Sequence, residues 1–416
     1  FGAGVGTIVY QLFTKFRSPV FLGSSFAFLG SMFAAFAGAT SMTLGYLGLI
    51  LGAAFAGLVY VILAIAVKAA GVQWINKLMP AVVIGPTVAI IGLSLAGNAV
   101  GDMLRGDVTI ENVAAASPNV ALLCGLVTLF VVIICSIFGS KRARLVPFII
   151  GIMAGYAVAL AFTLIGMATG NDSLLIIDLA PFKALVADGV TLKTFLTLPE
   201  FTFVTALKGV GELNGAYVGA IAVAYVPVAF VVFAEHIADH KNLSTIINQD
   251  LLTDPGLART LLGDGIGSMA GAFFGGCPNT TYGESVGCVA ITRNASVVSI
   301  TGAAVLAMLV AFLSPVVAFL DSIPACVMGG VCLTLYGFIA VSGLKMCQDV
   351  DLNDNRNLFV VSAILIAGVG GLTLTFGKVT ITSVACALIL GILVNVVVRR
   401  KDHPEGQEHE PQQVIK

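Results

Sequence analysis

The sequence predicts an all-α polytopic membrane protein built from two inverted repeats, and three observations lead to this fold class. The first is composition: hydrophobic residues make up 58% of 416 positions and charged residues 10%, whereas a soluble domain is about 45–50% apolar and 25% charged. The second is a series of apolar stretches that are long enough to cross a bilayer. The third is a set of sequence matches between the two halves of the chain.

Apolar stretches of roughly 20 residues predict about 13 membrane spans. They cover residues 2–14, 19–38, 44–69, 78–100, 118–138, 144–168, 216–238, 257–275, 279–292, 296–320, 323–344, 357–376 and 379–398. Two of them, 19–38 and 279–292, are short or interrupted by Gly, Ser, Thr and Pro. Because Phe1 already stands at the start of an apolar stretch, we expect a missing first helix, which would complete a 7+7 arrangement.

Basic residues predict the orientation, since short cytoplasmic loops are enriched in Lys and Arg. They follow alternate spans, as in 141–144 and 399–401. We therefore expect a multi-pass protein of the bacterial inner (plasma) membrane with a long extracellular loop at 169–215. The C-terminus is predicted to be cytoplasmic, and its polar tail, 401–416, to be disordered. The lipid bilayer is the expected partner, and a net charge of −1 gives no reason to expect a nucleic acid.

Three matches relate the two halves of the chain in the same order. Gly2–Thr7 (GAGVGT) matches Gly263–Ser268 (GDGIGS), Ser18-Pro19 with Gly23-Ser24 resembles Cys277-Pro278 with Gly283-Glu284, and Pro80–Gly85 matches Pro324–Gly329. Because each half holds an odd number of spans, the halves would lie in opposite orientations. This is the inverted repeat found in many secondary transporters.

The two interrupted spans occupy corresponding positions of this repeat. Short segments broken by Gly or Pro at such positions mark the substrate site of many transporters. Irregular backbone is tolerated at membrane depth only where protein or a cavity supplies hydrogen-bond partners. The sequence therefore predicts a substrate site between segments 19–30 and 278–288, near the middle of the bilayer.

Four acidic residues inside the predicted spans are candidates for substrate binding or proton coupling, because ionisable groups in a membrane are costly. They are Glu235, Asp239, Asp264 and Glu284. Capping of a half-helix remains an alternative for Glu284, a solvated helix end for Asp239 and a helix start for Asp264. Two carboxylates in one cavity repel, so one of them holds a proton. A protonated carboxyl group both donates and accepts, which suits a flat, amide-like solute.

Other residue patterns give weaker expectations. His236 and His240 have an i,i+4 spacing that zinc sites use, but without a third ligand we expect no metal and place both at a helix end near water. Phe26 either packs in the core or stacks on a flat ligand. The eight cysteines are scattered, so no disulfide is expected. No motif of an intramembrane enzyme is present in the sequence, and neither an enzyme nor a cofactor other than a coupling ion is predicted.

Four stretches carry a resemblance to a known family. They are 22–28 (LGSSFAF), 233–236 (FAEH), 252–257 (LTDPGL) and 278–284 (PNTTYGE), the last running on to 290–293 (AITR). They resemble the nucleobase–ascorbate transporter family, also called nucleobase cation symporter family two. The likeness covers nearly the whole chain, and its last stretch fits the family signature.

The resemblance implies 14 helices in two inverted repeats, with two broken half-helix segments that follow short extended strands. It implies a core domain made of 1–70 and 216–321 and a gate domain made of 71–215 and 322–400. It also implies proton symport, with Na⁺ as an alternative ion, and is compatible with a homodimer through the gate domain. The family's substrate contacts correspond to Glu235, Glu284, Phe26, the backbone at Gly283 and nearby Tyr282, with Ser25 and Ser285 beside them.

The signature also bears on the substrate that the resemblance implies. Glu284 at its first position is similar to uracil carriers, whereas xanthine and urate carriers have Gln there. Ser285 replaces the usual Asn, and Asp239 stands where some uracil carriers have His. The prediction is proton-coupled uptake of uracil by alternating access. A xanthine, urate or other nucleobase permease is one alternative, and an inorganic anion carrier of the same architecture is another, although two carboxylates oppose an anion.

Overall fold

A computed structural model of the chain describes residues 1–71, 80–110, 113–187, 189–281, 283–376 and 379–399. The first half contains six longer helices with short strands between them. In order these are α1 (Gly2–Phe13), β1 (Gly23–Ser24), a 3₁₀ turn (Phe26–Phe28) leading into α2 (Leu29–Ala37), α3 (Met42–Ala70), α4 (Ala81–Met103), β2 (Thr109–Ile110), β3 (Val113–Ala114), α5 (Pro118–Phe138) and α6 (Pro147–Thr169).

Two short helices follow before the second half begins, namely α7 (Ala180–Leu185) and α8 (Thr202–Leu207). The second half then repeats the alternation of long helices and one interrupted segment. It consists of α9 (Gly215–Ile247), α10 (Leu257–Gly275), β4 (Asn279–Thr280), α11 (Gly283–Thr292), α12 (Val297–Val310), α13 (Ser314–Asp321), α14 (Ala325–Met346), α15 (Asn355–Val369), β5 (Leu374–Phe376), β6 (Val379–Ile381) and α16 (Ser383–Arg399).

Six of the described helices, α3, α4, α5, α6, α9 and α14, are long and apolar enough to cross a membrane. The longest, α9, has 33 residues and is about 50 Å long at 1.5 Å per residue. Because the hydrocarbon core is only about 30 Å thick, α9 extends well beyond it. Large apolar side chains on α5 and α6, such as Phe130 and Ile149, are exposed, as expected for a surface that faces lipid.

Elements that match in sequence also pack against each other. Helix α1 packs on α10, strand β1 pairs with β4, and α4 packs on α14. The contacts are close because small residues meet: a methyl group added to Gly6 would lie 2.9 Å from the Gly267 carbonyl oxygen, and one added to Gly329 would lie 2.8 Å from that of Ala99. Contact between corresponding elements of the two halves supports the predicted inverted repeat.

The matched helices α4 and α14 begin in the same way. Pro80 and Pro324 occupy their N-cap positions with φ of −69° and −71° and with extended ψ. Proline fixes φ and lacks an N–H group, so it costs nothing where the helix has no acceptor to offer. The repeated proline therefore sets the same start in both halves.

The second half differs from the predicted spans at three places. The span 296–320 is two helices, since α12 ends at Val310 and α13 starts afresh with a proline in its first turn. The spans 357–376 and 379–398 contain the β5–β6 hairpin, so α15 ends at Val369 and α16 starts at Ser383. The span 216–238 is too short, because α9 continues through polar residues to Ile247. The tail 401–416 lies outside the described residues.

The long loop at 169–215 folds against the helices on either side. Ile176 and Ile177 are buried, and their backbone N–H groups both donate to the Thr163 hydroxyl of α6 at 3.1 Å. The Ser314 hydroxyl at the start of α13 donates to the Lys193 carbonyl group at 3.1 Å. The loop thus joins the two halves at one end of the molecule, while the division into core and gate domains stays a prediction.

Candidate functional site

The candidate site lies where the two interrupted segments meet. Strands β1 and β4 pair antiparallel, with Gly23 opposite Thr280 and Ser24 opposite Asn279. The Ser25 N–H group adds a further hydrogen bond to the Pro278 carbonyl group at 3.1 Å. The backbone groups of each extended segment thereby find partners in the other, which permits a break in the helices at membrane depth.

Helix α1 holds the first extended segment in place. The Leu22 N–H group donates to the Thr7 hydroxyl at 2.9 Å, and the Gln11 amide donates to the carbonyl groups of Ser18 and Val20 at 2.9 and 3.0 Å. All these contacts are buried, where an unpaired backbone group would be costly. Sequence reasoning did not select Thr7 or Gln11, although Thr7 closes the first repeated motif.

A half-helix follows each strand. The 3₁₀ turn at Phe26–Phe28 runs into α2, and the Ser31 hydroxyl anchors α2 to α9 by donating to the Ala224 carbonyl group at 2.7 Å. Helix α11 starts at Gly283 and also packs against α9. The first N–H groups of any α-helix lack intrahelical acceptors and carry a partial positive charge. Both half-helices start beside the strand pair, so these donors gather there.

The predicted residues Phe26 and Ser25 lie in the first segment. Ser25 is buried, and the half-buried ring of Phe26 makes an edge-to-face contact with Tyr336 of α14, with ring centroids 5.2 Å apart. Phe26 therefore stands between the strand pair and α14. The contact shows the packing role of Phe26, and its stacking on a ligand stays a prediction.

The other predicted contacts lie on α9 and α11. Glu235 is half-buried on α9, and Ser285 is half-buried in the first turn of α11. The Asp239 carboxylate is 3.7 Å from the position that a Cβ atom on Gly283 would take. Tyr282 lies outside the described residues. Glu284 belongs to α11, and nothing is described of its side chain.

Asp239 lies in the interior of the fold, which contradicts its alternative interpretation as a solvated helix end. It is 9% exposed, and α9 continues for two further turns beyond it. Its position beside the first residue of α11 favours a negative charge, because the N-terminus of a helix is its positive end. The predicted alternative for Asp264 is also wrong, since this residue lies in the middle of α10 rather than at its start.

His236 and His240 are completely buried, so their predicted place near water is wrong. The His236 Nδ1 atom lies 2.6 Å from Asp264 Oδ2, and its Nε2 atom lies 3.0 Å from the Thr260 hydroxyl oxygen. His240 lies 2.8 Å from the Tyr10 hydroxyl oxygen. The i,i+4 spacing reflects two rings stacked on one face of α9, with centroids 4.1 Å apart. Among the residues that the structure describes, no cluster of three metal-ligating side chains is found.

A small cavity adjoins Asp264, the partner of His236. It has a volume of about 10 Å³ and is lined by side chains that include Tyr60, Asp264, Ser268 and Thr280. Ser268 closes the second repeated motif, as Thr7 closes the first. Thr7 binds the first extended segment, whereas Ser268 lies next to the second one across this cavity.

Two half-helices that meet at a strand pair inside an inverted repeat define a secondary-transporter architecture. A solved structure has the same fold: the transmembrane domain of the cyanobacterium bicarbonate transporter BicA aligns with a TM-score of 0.57 over 94% of this chain and 88% of that chain. At 13% identity, this likeness shows the fold alone.

The chain belongs to the permease family, whose model (Xan_ur_permease) matches residues 1–377. Its relatives include the "Uracil permease" of Bacillus caldolyticus, 38% identical, covering 95% of this chain and 84% of the relative. The "Uracil permease" of Bacillus subtilis (strain 168) is 35% identical, and the match covers 98% of this chain and 86% of the relative. The "Uracil permease" of Escherichia coli (strain K12) is 33% identical, and the match covers 95% of this chain and 83% of the relative. The protein is therefore a multi-pass membrane permease and not an enzyme.

Proposed function

We propose that this permease takes up uracil together with protons by alternating access, with the substrate held between the two half-helices. The observation that carries the proposal is the β1–β4 pair, which brings the starts of α2 and α11 to one place. The permease family and relatives named "Uracil permease" support the substrate. The half-helices supply N–H donors, and α9, which packs against α11, supplies the carboxyl group of Glu235.

The chemistry of uracil suits these groups. Its edge alternates N–H donors with carbonyl acceptors, and its ring is flat. We assign the acceptor role to the carboxyl groups of Glu235 and Glu284 and the donor role to backbone N–H groups at Gly283. We place Phe26 against the ring, where aromatic stacking adds about 0.5–1.5 kcal/mol beyond area burial. Tyr282, Ser25 and Ser285 complete the proposed contacts.

Proton coupling is proposed for Glu235, Asp239, Asp264 and Glu284. Glu235 and Asp239 lie one turn apart on α9, and Asp239 lies beside Gly283. Like charges at this spacing repel, which favours a proton on one of them. H⁺ is the proposed coupling ion because a carboxyl group that gains a proton also gains a hydrogen-bond donor for the substrate.

Two other substrates follow from particular features. A xanthine or urate carrier of the same family would have Gln at the position of Glu284. An inorganic anion carrier would use the positive ends of α2 and α11, but the acidic side chains of Glu235 and Asp239 beside them oppose an anion. Uracil is favoured over an inorganic anion because it has donors as well as acceptors, and over xanthine or urate because relatives of this chain are named "Uracil permease".

Uptake of radiolabelled uracil by cells that lack their own permease tests the proposal. We expect saturable uptake that increases at acidic pH and is abolished by a protonophore. Glu235→Gln is expected to abolish it, while Glu200→Gln, the same change at an exposed loop residue, keeps it. Membrane-inserted protein without saturable uracil uptake would exclude uracil, and competition by a panel of purines and inorganic anions would then identify the alternative.

A matched pair of variants tests the stacking role. Phe26→Leu is expected to weaken uracil binding by about 2- to 10-fold, the equivalent of the stacking energy. Phe33→Leu, an exposed position in the same segment, is expected to leave binding unchanged. Equal affinities of the two variants would remove Phe26 from the substrate site.

A further inference from the structure

The most unusual polar feature of the described interior is the pair formed by His236 and Asp264. Both side chains are 0% exposed, and their contact at 2.6 Å joins α9 to α10. The Tyr60 ring of α3 meets the His236 ring edge-on, with centroids 6.0 Å apart. Phe233 and Leu261, which precede His236 and Asp264 by three positions, are buried in a hydrophobic cluster. The state of protonation of the pair therefore decides whether a net charge is buried here.

Two hydrogen-bonding arrangements fit the geometry. In the first, the Thr260 hydroxyl donates to the Leu257 carbonyl group at 3.0 Å and accepts from His236 Nε2. Nε2 then carries a proton, and the contact with Asp264 contains one more proton, on either His236 or Asp264. In the second, Thr260 donates to Nε2, and Nδ1–H donates to an ionised Asp264.

The first arrangement is overall neutral, and the second buries a net negative charge. The surroundings offer little to offset that charge. The Asp264 Oδ1 atom has no hydrogen-bond partner among the described residues, although the Thr281 N–H group approaches the carboxyl group. Glu235 and Asp239 lie close by on α9. An unpaired ionised group inside a membrane protein is expensive, so the structure favours the arrangement with the additional proton.

The pair has a polar route on each side. Toward the strand pair lies the cavity of about 10 Å³ beside Tyr60, Ser268 and Thr280, about the space that one water molecule needs. The Tyr60 hydroxyl and the Ser268 hydroxyl are both without a partner among the described residues. A water molecule there would have three polar neighbours, including Asp264 Oδ1, which connects the pair to the second extended segment.

The other route leads along α9 to the end of α1. The His236 carbonyl group accepts from His240 Nδ1 at 2.8 Å, and His240 Nε2 lies 2.8 Å from the Tyr10 hydroxyl oxygen. The Tyr10 hydroxyl oxygen also lies 2.8 Å from the Ser18 hydroxyl oxygen. Ser18 follows the basic residues Lys15 and Arg17, which lie on the side predicted to be cytoplasmic. The buried side chains of His240, Tyr10 and Ser18 thus lie between the pair and that side.

We propose that the His236–Asp264 pair is the site that holds the coupling proton, an inference that rests on the proposed proton-coupled uptake. Uptake of one proton gives the neutral pair, in which Thr260 donates to Leu257. Release of that proton leaves ionised Asp264 with Nδ1–H of His236, and the Thr260 hydroxyl turns to donate to Nε2. The groups that face the pair are Glu235, Asp239 and His240 on α9, Tyr60 on α3 and Tyr10 on α1.

The variant Asp264→Asn separates proton movement from substrate binding. Its amide donates to Nδ1 as a protonated carboxyl group does, so the pair is fixed in the neutral arrangement. The full protein is reconstituted into liposomes that contain a pH-sensitive dye, and two quantities are measured. One is the exchange of labelled for unlabelled uracil, which needs no release of the proton. The other is the proton entry that accompanies net uracil uptake.

We expect Asp264→Asn to keep uracil exchange and to lose uracil-coupled proton entry. Asp250→Asn, the same change at an exposed residue beyond α9, is expected to keep both. Proton entry at the wild-type ratio in Asp264→Asn would overturn the inference. Wild-type protein that moves uracil without protons would instead contradict the proposed proton coupling itself.

A spectroscopic measurement on the unaltered protein tests the protonation of the His236–Asp264 pair even if Asp264→Asn does not fold. Nitrogen NMR of histidine-labelled protein, with the His236 signal assigned by His236→Gln, reports which ring nitrogen carries a proton. At acidic pH we expect a protonated Nε2 atom. A neutral ring with its proton on Nδ1 and a bare Nε2 atom under the same conditions would overturn the inference.

Discussion

The contact between α4 and α14 gives a sharp test of the packing between the repeats, through the substitution Gly343→Ala. An added Cβ atom would lie 2.6 Å from the Gly85 carbonyl oxygen and 2.7 Å from the Ala89 Cα atom. Both neighbours are backbone atoms and cannot rotate away, so the two helices would have to separate. Overpacking of this kind costs about 1–3 kcal/mol.

Gly337→Ala on the same helix is the matched control. No atom lies within 4 Å of the Cβ position there, and replacing a helical glycine by alanine gains roughly 0.5–1 kcal/mol. Thermal unfolding of the purified protein in detergent compares them. We expect the apparent Tm of Gly343→Ala to fall by several degrees and that of Gly337→Ala to stay or rise. Equal values of Tm for the two variants would refute the close packing of α4 on α14.

Two further predictions concern the polar ties of the helices. Tyr217→Phe removes a hydroxyl that donates to the Ala35 carbonyl group at 2.9 Å. Because that buried carbonyl group loses its partner, we expect the free energy of unfolding to fall by roughly 1–3 kcal/mol. The change is measured as a lower Tm, and an unchanged Tm would contradict the prediction. Glu212 accepts hydrogen bonds from Thr40 and Ser41, which hold its pKa below the ordinary value. Its stabilising effect is present above the ordinary pKa and is lost as the pH falls through the lowered one. The Tm deficit of Glu212→Gln at neutral pH should therefore disappear in acid, and a deficit that is independent of pH would contradict this origin.

Much of the architecture was predictable because membrane helices leave a strong trace in the sequence. The predicted span 257–275 has the same bounds as α10. Its residues are mostly apolar, and glycines end the helix at 275–276. The interruption at Pro278 was also predictable, because proline and glycine end helices locally. The three repeated motifs indicated the inverted repeat before any contact was known.

Other features depend on partners that are distant in sequence. Hydropathy could not reveal the break between α12 and α13, because the apolar run continues through it. Likewise, the spacing of His236 and His240 indicates a shared helix face but not what covers it. Asp264 lies 28 positions beyond His236, and only the packing of α10 on α9 brings them together. The sequence singled out Asp264 for its charge, but it did not indicate Thr260 or Tyr60, which contact His236.

The pairing of β1 with β4 has a consequence for how the protein is made. Gly23 and Thr280 are register partners, yet more than 250 residues separate them along the chain. A ribosome that adds about 5–20 residues per second needs on the order of 10–50 s to cover that distance. During this interval the first extended segment cannot have its final hydrogen-bond partners, and unpaired backbone is not tolerated in lipid. During synthesis the segment must therefore stay near water or within the insertion machinery. The first half completes its integration into the membrane only after the second half has been synthesised.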